Sequence, residues 1–97
     1  MARRRYLVMY DIRSEGRLRR VFQVVSGFGD RLQYSVYVCD LNPSELVRLR
    51  WDLDDEINPM EDSVAILDMG ELSRQTTIGF TFLGVRPDLP DSGATII

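Results

Sequence analysis

Residues 6–20 read YLVMYDIRSEGRLRR, in which an apolar segment runs into an arginine-rich one. Residues 6–12 are short, almost wholly apolar and rich in β-forming side chains, as expected of a buried central strand. Ser14 is a candidate helix cap, and the spacing of apolar residues becomes helical from Arg17 onward. The apolar stripe of this helix consists of Leu18, Val21, Phe22, Val25 and Phe28. The segment therefore predicts a strand followed by an amphipathic helix.

Residues 30–41, DRLQYSVYVCDL, alternate in the manner of one continuous strand. The apolar face of this strand would carry Leu32, Tyr34, Val36 and Val38. The opposite face would carry Gln33, Ser35, Tyr37 and Cys39. A half-polar face of this kind is expected to face water, although Cys39 itself is interpreted as a small buried hydrophobic residue.

The motif NPSE at residues 42–45 predicts a second helix, with Asn42 as its cap and Glu45 reaching back to it. This helix is expected to bury Leu46, Leu49 and Leu53, to use Trp51 in packing, and to end before Pro59. Two further strands are predicted at residues 63–69 and 76–83.

The order of these elements predicts an α+β sandwich, with both helices on one face of a mostly antiparallel sheet. A chain of 97 residues suits one compact domain. We expect the core to span residues 1–83, and residues 84–97 to form a loop and a short apolar tail, ATII. Such a tail is normally frayed unless it pairs with another element.

The residues that the chain lacks exclude several kinds of chemistry. It has no histidine and one cysteine, which excludes serine–histidine and cysteine–histidine catalysis, histidine-dependent RNA cleavage and a disulfide framework. A zinc site is not expected either. No apolar run approaches the roughly 18 residues of a membrane span, and no secretory signal is recognisable. The expectation is a cytoplasmic protein without a membrane partner.

Charge is distributed unevenly along the chain. Residues 1–50 carry ten arginines and five acids, a balance of +5, whereas residues 51–97 carry two arginines and ten acids, a balance of −8. All twelve cationic side chains are arginine, which is well suited to bidentate phosphate contacts. The first half could therefore present a basic face, and the acidic half could be plainly solvated or dock a basic partner.

Asp11, at the end of the first predicted strand, has two interpretations. It could cap the following helix or pair with Arg13 or Arg17. Alternatively, it could be a ligand of Mg²⁺ or Mn²⁺, ions that usually take one or two carboxylates together with water and phosphate oxygens. A two-fold dimer would place Asp11 opposite its own copy. A divalent ion shared by the two carboxylates could act on a phosphodiester without histidine.

The arginines near Asp11 also have two interpretations. If Arg13 lay in the first helical turn, then Arg13, Arg17 and Arg20 would share one helix face, with Arg19 pointing elsewhere and Arg31 following the helix. A charged helix face is usually only solvated. Beside a metal site, the same side chains would position the phosphates of a nucleic acid.

Taken together, YLVMYDI, the arginine-bearing helix, GFGDRLQYSVYVCDL and EDSVAILDM resemble the Cas-two family of small CRISPR-associated adaptation proteins. The resemblance implies a ferredoxin-like βαββαβ fold with an extra C-terminal strand that packs on a partner protomer. It also implies two strands within residues 30–41, where no turn signal is visible. The resemblance implies, in addition, a homodimer in which the two copies of Asp11 meet at the two-fold axis.

The resemblance further implies an activity, partners and a set of site residues. The implied function is CRISPR adaptation, with metal-dependent endonuclease activity on RNA or duplex DNA. Its implied catalytic positions are Tyr10, Asp11, Ser35 and Tyr37. Its implied nucleic-acid-binding positions are Arg13, Arg17, Arg19, Arg20 and Arg31. The alternatives are a non-catalytic scaffold that bridges DNA and the integrase Cas-one, a toxin-like ribonuclease, and a small-molecule regulatory domain.

Overall fold

The computed structural model describes residues 2–72 and 80–85. Four strands and two helices occur in the described part of the chain. In chain order they are β1 (Arg4–Asp11), α1 (Glu15–Ser26), β2 (Asp30–Gln33), β3 (Val36–Leu41), α2 (Pro43–Glu56) and β4 (Ser63–Glu71).

Helix α1 begins at Glu15, immediately after its cap residue Ser14. This is two residues before Arg17, where the helical pattern of the sequence begins. The Ser14 hydroxyl accepts a hydrogen bond from the Arg17 backbone N–H at 3.4 Å, which confirms Ser14 as the cap. Arg13 therefore precedes the helix and does not share a helical face with Arg17 and Arg20. Within the apolar stripe Val21 and Val25 are buried, but Phe22 is 43% exposed.

The prediction of one strand over residues 30–41 is wrong, because Tyr34 and Ser35 form a turn between β2 and β3. Ser35 adopts a φ of 63°, in the left-handed region that serine seldom occupies. The Ser35 carbonyl accepts a hydrogen bond from the Tyr10 N–H at 3.1 Å, which ties the turn to β1. The two-strand arrangement implied by the family resemblance is the one observed.

Helix α2 has the capping box predicted from NPSE. The Asn42 side chain accepts from the Glu45 N–H at 2.8 Å, and the Glu45 carboxylate accepts from the Asn42 N–H at 2.9 Å. Leu49 and Leu53 are buried as expected. Trp51 is 68% exposed, so its predicted packing role is wrong.

The four strands form one antiparallel sheet in the order β2-β3-β1-β4. Strands β1 and β2 both run opposite to β3, so they are parallel to each other and are connected through α1. This βαββαβ arrangement with two helices is the ferredoxin-like α+β fold predicted from the sequence.

Both helices pack on one face of the sheet, which we call the helix-covered face. Its core combines three side chains of β1, three of β3 and two from each helix. They are Tyr6, Val8, Tyr10, Tyr37, Cys39, Leu41, Val21, Val25, Leu49 and Leu53. Tyr37 is only 3% exposed. The expectation that its face of the strand meets water is therefore wrong, because that face meets the helices.

The alternate residues of β1 and β3 point to the opposite side, which we call the second face. It carries Arg5, Leu7, Met9 and Asp11 from β1 and Val36, Val38 and Asp40 from β3. Leu7 lies opposite Val38, and Met9 lies opposite Val36. The second face therefore has an apolar centre.

Residues 80–85 form neither helix nor strand. The prediction of a strand over residues 76–83 is therefore wrong for residues 80–83. Residues 76–79 and most of the predicted 84–97 segment, including the extra C-terminal strand, lie outside the described residues. Neither α1 nor α2 is long and apolar enough to cross a membrane.

Candidate functional site

The Asp11 carboxylate is exposed at the end of β1, next to Ser63 of β4. Within residues 2–72 and 80–85 it takes part in neither a side-chain hydrogen bond nor an ion pair. Ser14 caps α1 instead, and Arg17 pairs with other acids. The interpretation of Asp11 as a helix cap or as a partner of Arg13 or Arg17 is therefore wrong.

Asp62, which follows α2, has the structural role that the sequence suggested for Asp11. Its carboxylate accepts from the Arg17 Nε at 2.7 Å, from the Arg13 N–H at 2.9 Å and from the Asn58 N–H at 2.8 Å. These contacts, the Arg17 guanidinium first among them, hold the pKa of the Asp62 carboxyl well below its usual range. Asp62 thus stays charged and fixes the start of α1 to the loop after α2.

The five predicted nucleic-acid-binding arginines divide into two groups. Arg17 is paired with Asp62 and with Glu61, the latter at 2.9 Å, and the Arg20 Nε donates to Glu56 at 3.0 Å. The second group is exposed and forms no ion pair with any of the described residues. It consists of Arg13, Arg19 and Arg31.

Tyr10, Ser35 and Tyr37 meet on the helix-covered face, at a pocket between α1 and the turn that joins β2 to β3. The Tyr10 and Tyr37 rings are stacked with centroids 6.4 Å apart, and Phe22 meets Tyr37 edge-on at 6.3 Å. The pocket has a volume of about 330 Å³. Its lining consists of Tyr10, Glu15, Leu18, Arg19, Phe22, Arg31, Tyr34, Ser35 and Tyr37.

Tyr10 and Tyr37 are neutral hydrogen-bonding groups in this pocket. Burial raises the pKa of the Tyr10 phenol, with a further contribution from Tyr37 and an opposing one from its hydrogen bond with Ser35. Burial likewise raises the pKa of Tyr37. Burial also raises the pKa of Cys39 to about 12, which confirms that Cys39 is a buried hydrophobic residue rather than a nucleophile.

The predicted catalytic residues do not form one cluster within a single chain. Tyr10 and Asp11 are consecutive in β1, so their side chains leave the sheet on opposite faces. Tyr10, Ser35 and Tyr37 share the pocket, whereas Asp11 lies at the edge of the second face. Among the described residues no group of three acids, cysteines or histidines could hold a metal ion.

Sequence reasoning missed part of the pocket and one buried ion pair. The sequence pattern assigned Phe22 and Tyr34 to apolar faces. The turn that exposes Tyr34 contains no glycine, asparagine or aspartate that would have indicated it. On the second face, Arg5 is 0% exposed and binds Asp40 through two hydrogen bonds of 2.7 Å. An arginine within an apolar strand, opposite an aspartate of another strand, was the only signal for this pair.

Fold and site together define a small ferredoxin-like α+β protein. It has a carboxylate at one strand end with no partner among the described residues, and an arginine- and tyrosine-lined pocket on the opposite face of the sheet. The family model for CRISPR associated protein Cas2 matches residues 4–77. The chain therefore belongs to the CRISPR-associated Cas2 family, which is the Cas-two family predicted from the sequence.

Individual relatives cover most of the chain. It is 38% identical to "CRISPR-associated endoribonuclease Cas2" of Geobacter sulfurreducens over 79% of this chain and 85% of the relative. It is also 38% identical to "CRISPR-associated endoribonuclease Cas2 2" of Thermodesulfovibrio yellowstonii over 89% of each chain. A crystal structure of a hypothetical protein from Thermus thermophilus superimposes with a TM-score of 0.75 at 28% identity, covering 88% of this chain and 95% of that one. The relatives' names confirm the prediction of a nuclease family.

Proposed function

We propose that this chain is a homodimeric, divalent-metal-dependent endonuclease of CRISPR adaptation, with Asp11 as its metal ligand. The observation that carries the proposal is the exposed Asp11 carboxylate, which is free of hydrogen bonds and ion pairs to the described residues although arginines follow it closely. Asp62 already meets the structural needs of the neighbouring helix. A charge at a strand end with no partner among the described residues is therefore best explained by a ligand.

The second face supports the dimer. Both helices pack on the other side of the sheet, while Leu7, Met9 and Val36 are partly exposed and form an apolar centre on this side. Val38, opposite Leu7, is already buried within the chain. Leu67 of β4 lies opposite Leu7 and is half-exposed. A second copy of the chain has the self-complementary apolar surface that a two-fold interface requires. Asp11 lies at the edge of this same face, where its copy in the partner could approach it.

The residues of one chain alone do not suit a metal ion, because a single carboxylate holds Mg²⁺ or Mn²⁺ poorly. Two copies of Asp11 would supply the two carboxylates that such ions commonly take, and would hold the ion at the dimer axis. When bound, the ion would supply Lewis-acid polarisation of a phosphodiester. The chain's own contribution is to present the two carboxylates, with Arg13 two residues further along to hold a phosphate.

RNA is the substrate that we propose, because the similar proteins named above are called endoribonucleases. Duplex DNA is the second candidate. Arg13, Arg19 and Arg31 are exposed and lack acidic partners in the described part of the chain, so they are available for phosphates. Arg17 and Arg20 would have to exchange their carboxylates for phosphates. With this activity we propose a cytoplasmic location.

Asp11→Asn tests the proposal. We expect cleavage of a labelled RNA in the presence of Mn²⁺ or Mg²⁺ to fall about 100-fold or more, since a lost metal ligand removes several kcal/mol of stabilisation. The variant should still bind RNA in the presence of a chelator. Asp30→Asn is the matched control, because Asp30 is also an exposed acid but lies on β2. This variant should cleave normally. Equal cleavage by the Asp11→Asn variant and the unaltered chain would contradict the proposal.

A second function is favoured by one observation: Tyr10, Ser35 and Tyr37 lie on the face opposite to Asp11, so one chain gives Asp11 no catalytic companions. We therefore propose, as the alternative, a scaffold that bridges duplex DNA and the integrase Cas-one without cutting. Spacer acquisition in cells distinguishes the two functions. Acquisition that survives Asp11→Asn, together with an absence of metal-stimulated cleavage by the unaltered chain, would favour the scaffold.

A further inference from the structure

The pocket between α1 and the turn after β2 has the volume of a small ligand site. Its volume of about 330 Å³ lies at the small end of the roughly 300–1,000 Å³ that is usual for ligand sites. Tyr10 and Tyr37 lie nearly parallel, at 20°, and are buried, whereas Phe22 meets Tyr37 at 64°. Tyr10 and Tyr37 are only 9% and 3% exposed, so they give the pocket an aromatic lining but little open ring surface.

The mouth of the pocket is aromatic and positively charged. Tyr34 is 71% exposed, and the Arg31 guanidinium lies 5.5 Å from its ring centre. Arg19 lines the pocket from α1, and neither arginine pairs with an acid of the described residues. Two uncompensated guanidinium groups beside an open tyrosine ring favour a ligand that combines a flat ring with an anion.

Polar groups inside the pocket suit the edge of a heterocyclic base. Glu15 supplies a carboxylate that accepts hydrogen bonds, as a base amino or imino N–H requires. Ser35 supplies a hydroxyl, and the phenols of Tyr10 and Tyr37 remain protonated because burial raises their pKa. A free carboxylate at this position disfavours a bare phosphate deep in the pocket. The phosphate is therefore placed at the mouth, with Arg19 and Arg31.

We propose that this pocket binds one unpaired nucleobase of a single-stranded nucleic acid, stacked on Tyr34, with the adjoining phosphates held by Arg19 and Arg31. The proposal deepens the nucleic-acid binding proposed above and rests on it. A base within a duplex is already stacked and paired, so it cannot enter without being extruded. Tyr10 and Asp11 are consecutive but leave the sheet on opposite faces, so the pocket would hold a base away from the proposed cleavage position.

Binding of two matched oligonucleotides tests the pocket. One is a 12-nucleotide single strand, and the other has the same backbone with abasic sites throughout. Binding is measured by fluorescence anisotropy in a chelator, so that nothing is cut. Stacking on one aromatic residue commonly changes affinity by about 10-fold. We expect the full-length chain to prefer the base-bearing strand by about that factor, and Tyr34→Leu to remove the preference without weakening abasic binding.

Trp51→Leu is the matched control, because Trp51 is an equally exposed aromatic residue outside the pocket. It should keep the preference for bases, and Arg31→Gln should weaken the binding of both strands. Equal binding of the two strands by the unaltered chain would overturn the pocket proposal and leave phosphate binding intact. Binding of neither strand would overturn both proposals. A change of oligomeric state in Tyr34→Leu, with the preference retained, would show that a protein segment fills the pocket and would also overturn it.

Discussion

Asp62 joins the start of α1 to the loop after α2, and its contacts make the stability of the protein depend on pH. The pKa of its carboxyl is lowered on folding, chiefly by Arg17. A group of this kind contributes stability above its unfolded-state pKa of about 3.9 and loses that contribution as the pH falls toward the lower folded-state pKa.

We therefore expect the free energy of unfolding to decrease as the pH is lowered below about 4, and Asp62→Asn to show a smaller decrease. Urea unfolding at a series of pH values between neutrality and strong acid measures both. Asp30→Asn, whose exposed carboxylate forms no described hydrogen bond, should follow the unaltered chain. An identical pH profile for Asp62→Asn and the unaltered chain would show that Asp62 is not the group responsible.

Arg5 and Asp40 form a buried ion pair on the second face, with side chains that are 0% and 17% exposed. Asp40→Asn leaves the arginine buried without its counter-charge, and we expect a loss of about 3 kcal/mol in the free energy of unfolding. Arg5→Leu combined with Asp40→Leu should recover most of that loss, because no charge is then left buried. Asp68→Asn, in the exposed pair with Arg4, should have a much smaller effect. A small effect of Asp40→Asn would contradict this view of the pair.

The residues that could be predicted are those whose partners are close in sequence. Ser14 and Asn42 cap their helices through contacts three residues away. The sequence could not show that Asp62, rather than Asp11, pairs with Arg17, because Arg17 and Asp62 are 45 residues apart. Local pattern carries no information about such a contact.

The hairpin of β2 and β3 depends on a glycine that precedes it. A Cβ added at Gly29 would overlap the Val38 carbonyl oxygen and lie 2.5 Å from the Cys39 Sγ. Because both neighbours belong to the central strand β3, neither can move freely. We expect Gly29→Ala to destabilise the protein by about 1–3 kcal/mol.

Gly16 is the matched glycine in the first turn of α1, where an added Cβ would meet no atom closer than 3.6 Å. Gly16→Ala should raise the free energy of unfolding by about 0.5–1 kcal/mol, since alanine favours helix. Denaturant unfolding of the two variants measures the contrast. Equal effects of the two substitutions would contradict the close approach of Gly29 to β3.

The elements themselves were predictable where a periodic pattern coincided with a terminating signal. Helix α2 has both, and its observed start is the predicted one. The division of residues 30–41 was not predictable from periodicity, because Tyr34 and Ser35 form the turn and a single serine within an alternating segment is a weak turn signal. Only the family resemblance indicated two strands.

In the molecule as a whole, the acidic second half neutralises arginines of the first half. Glu56 pairs with Arg20, Glu61 and Asp62 pair with Arg17, and Asp68 pairs with Arg4. The charge asymmetry along the chain is thus partly resolved by folding. The exposed arginines without an acidic partner among the described residues are Arg13, Arg19, Arg31 and Arg50. Only three of them belong to the five predicted nucleic-acid-binding arginines, and these three are where we propose that a polyanion binds.

The proposed metal site belongs to the assembly rather than to one chain. It requires that the second faces of two copies meet and that each copy contributes Asp11. The sequence identified Asp11 as the candidate metal ligand. Only the structure shows that Tyr10, Ser35 and Tyr37 lie on the helix-covered face, opposite to Asp11.

The most direct test of the shared site is the number of Mn²⁺ ions bound per chain, measured by electron paramagnetic resonance. The oligomeric state at the same protein concentration is measured by sedimentation. The account predicts one tightly bound ion for every two chains, and loss of that ion in Asp11→Asn while the variant remains dimeric. One ion per chain, or undiminished binding by Asp11→Asn, would contradict it.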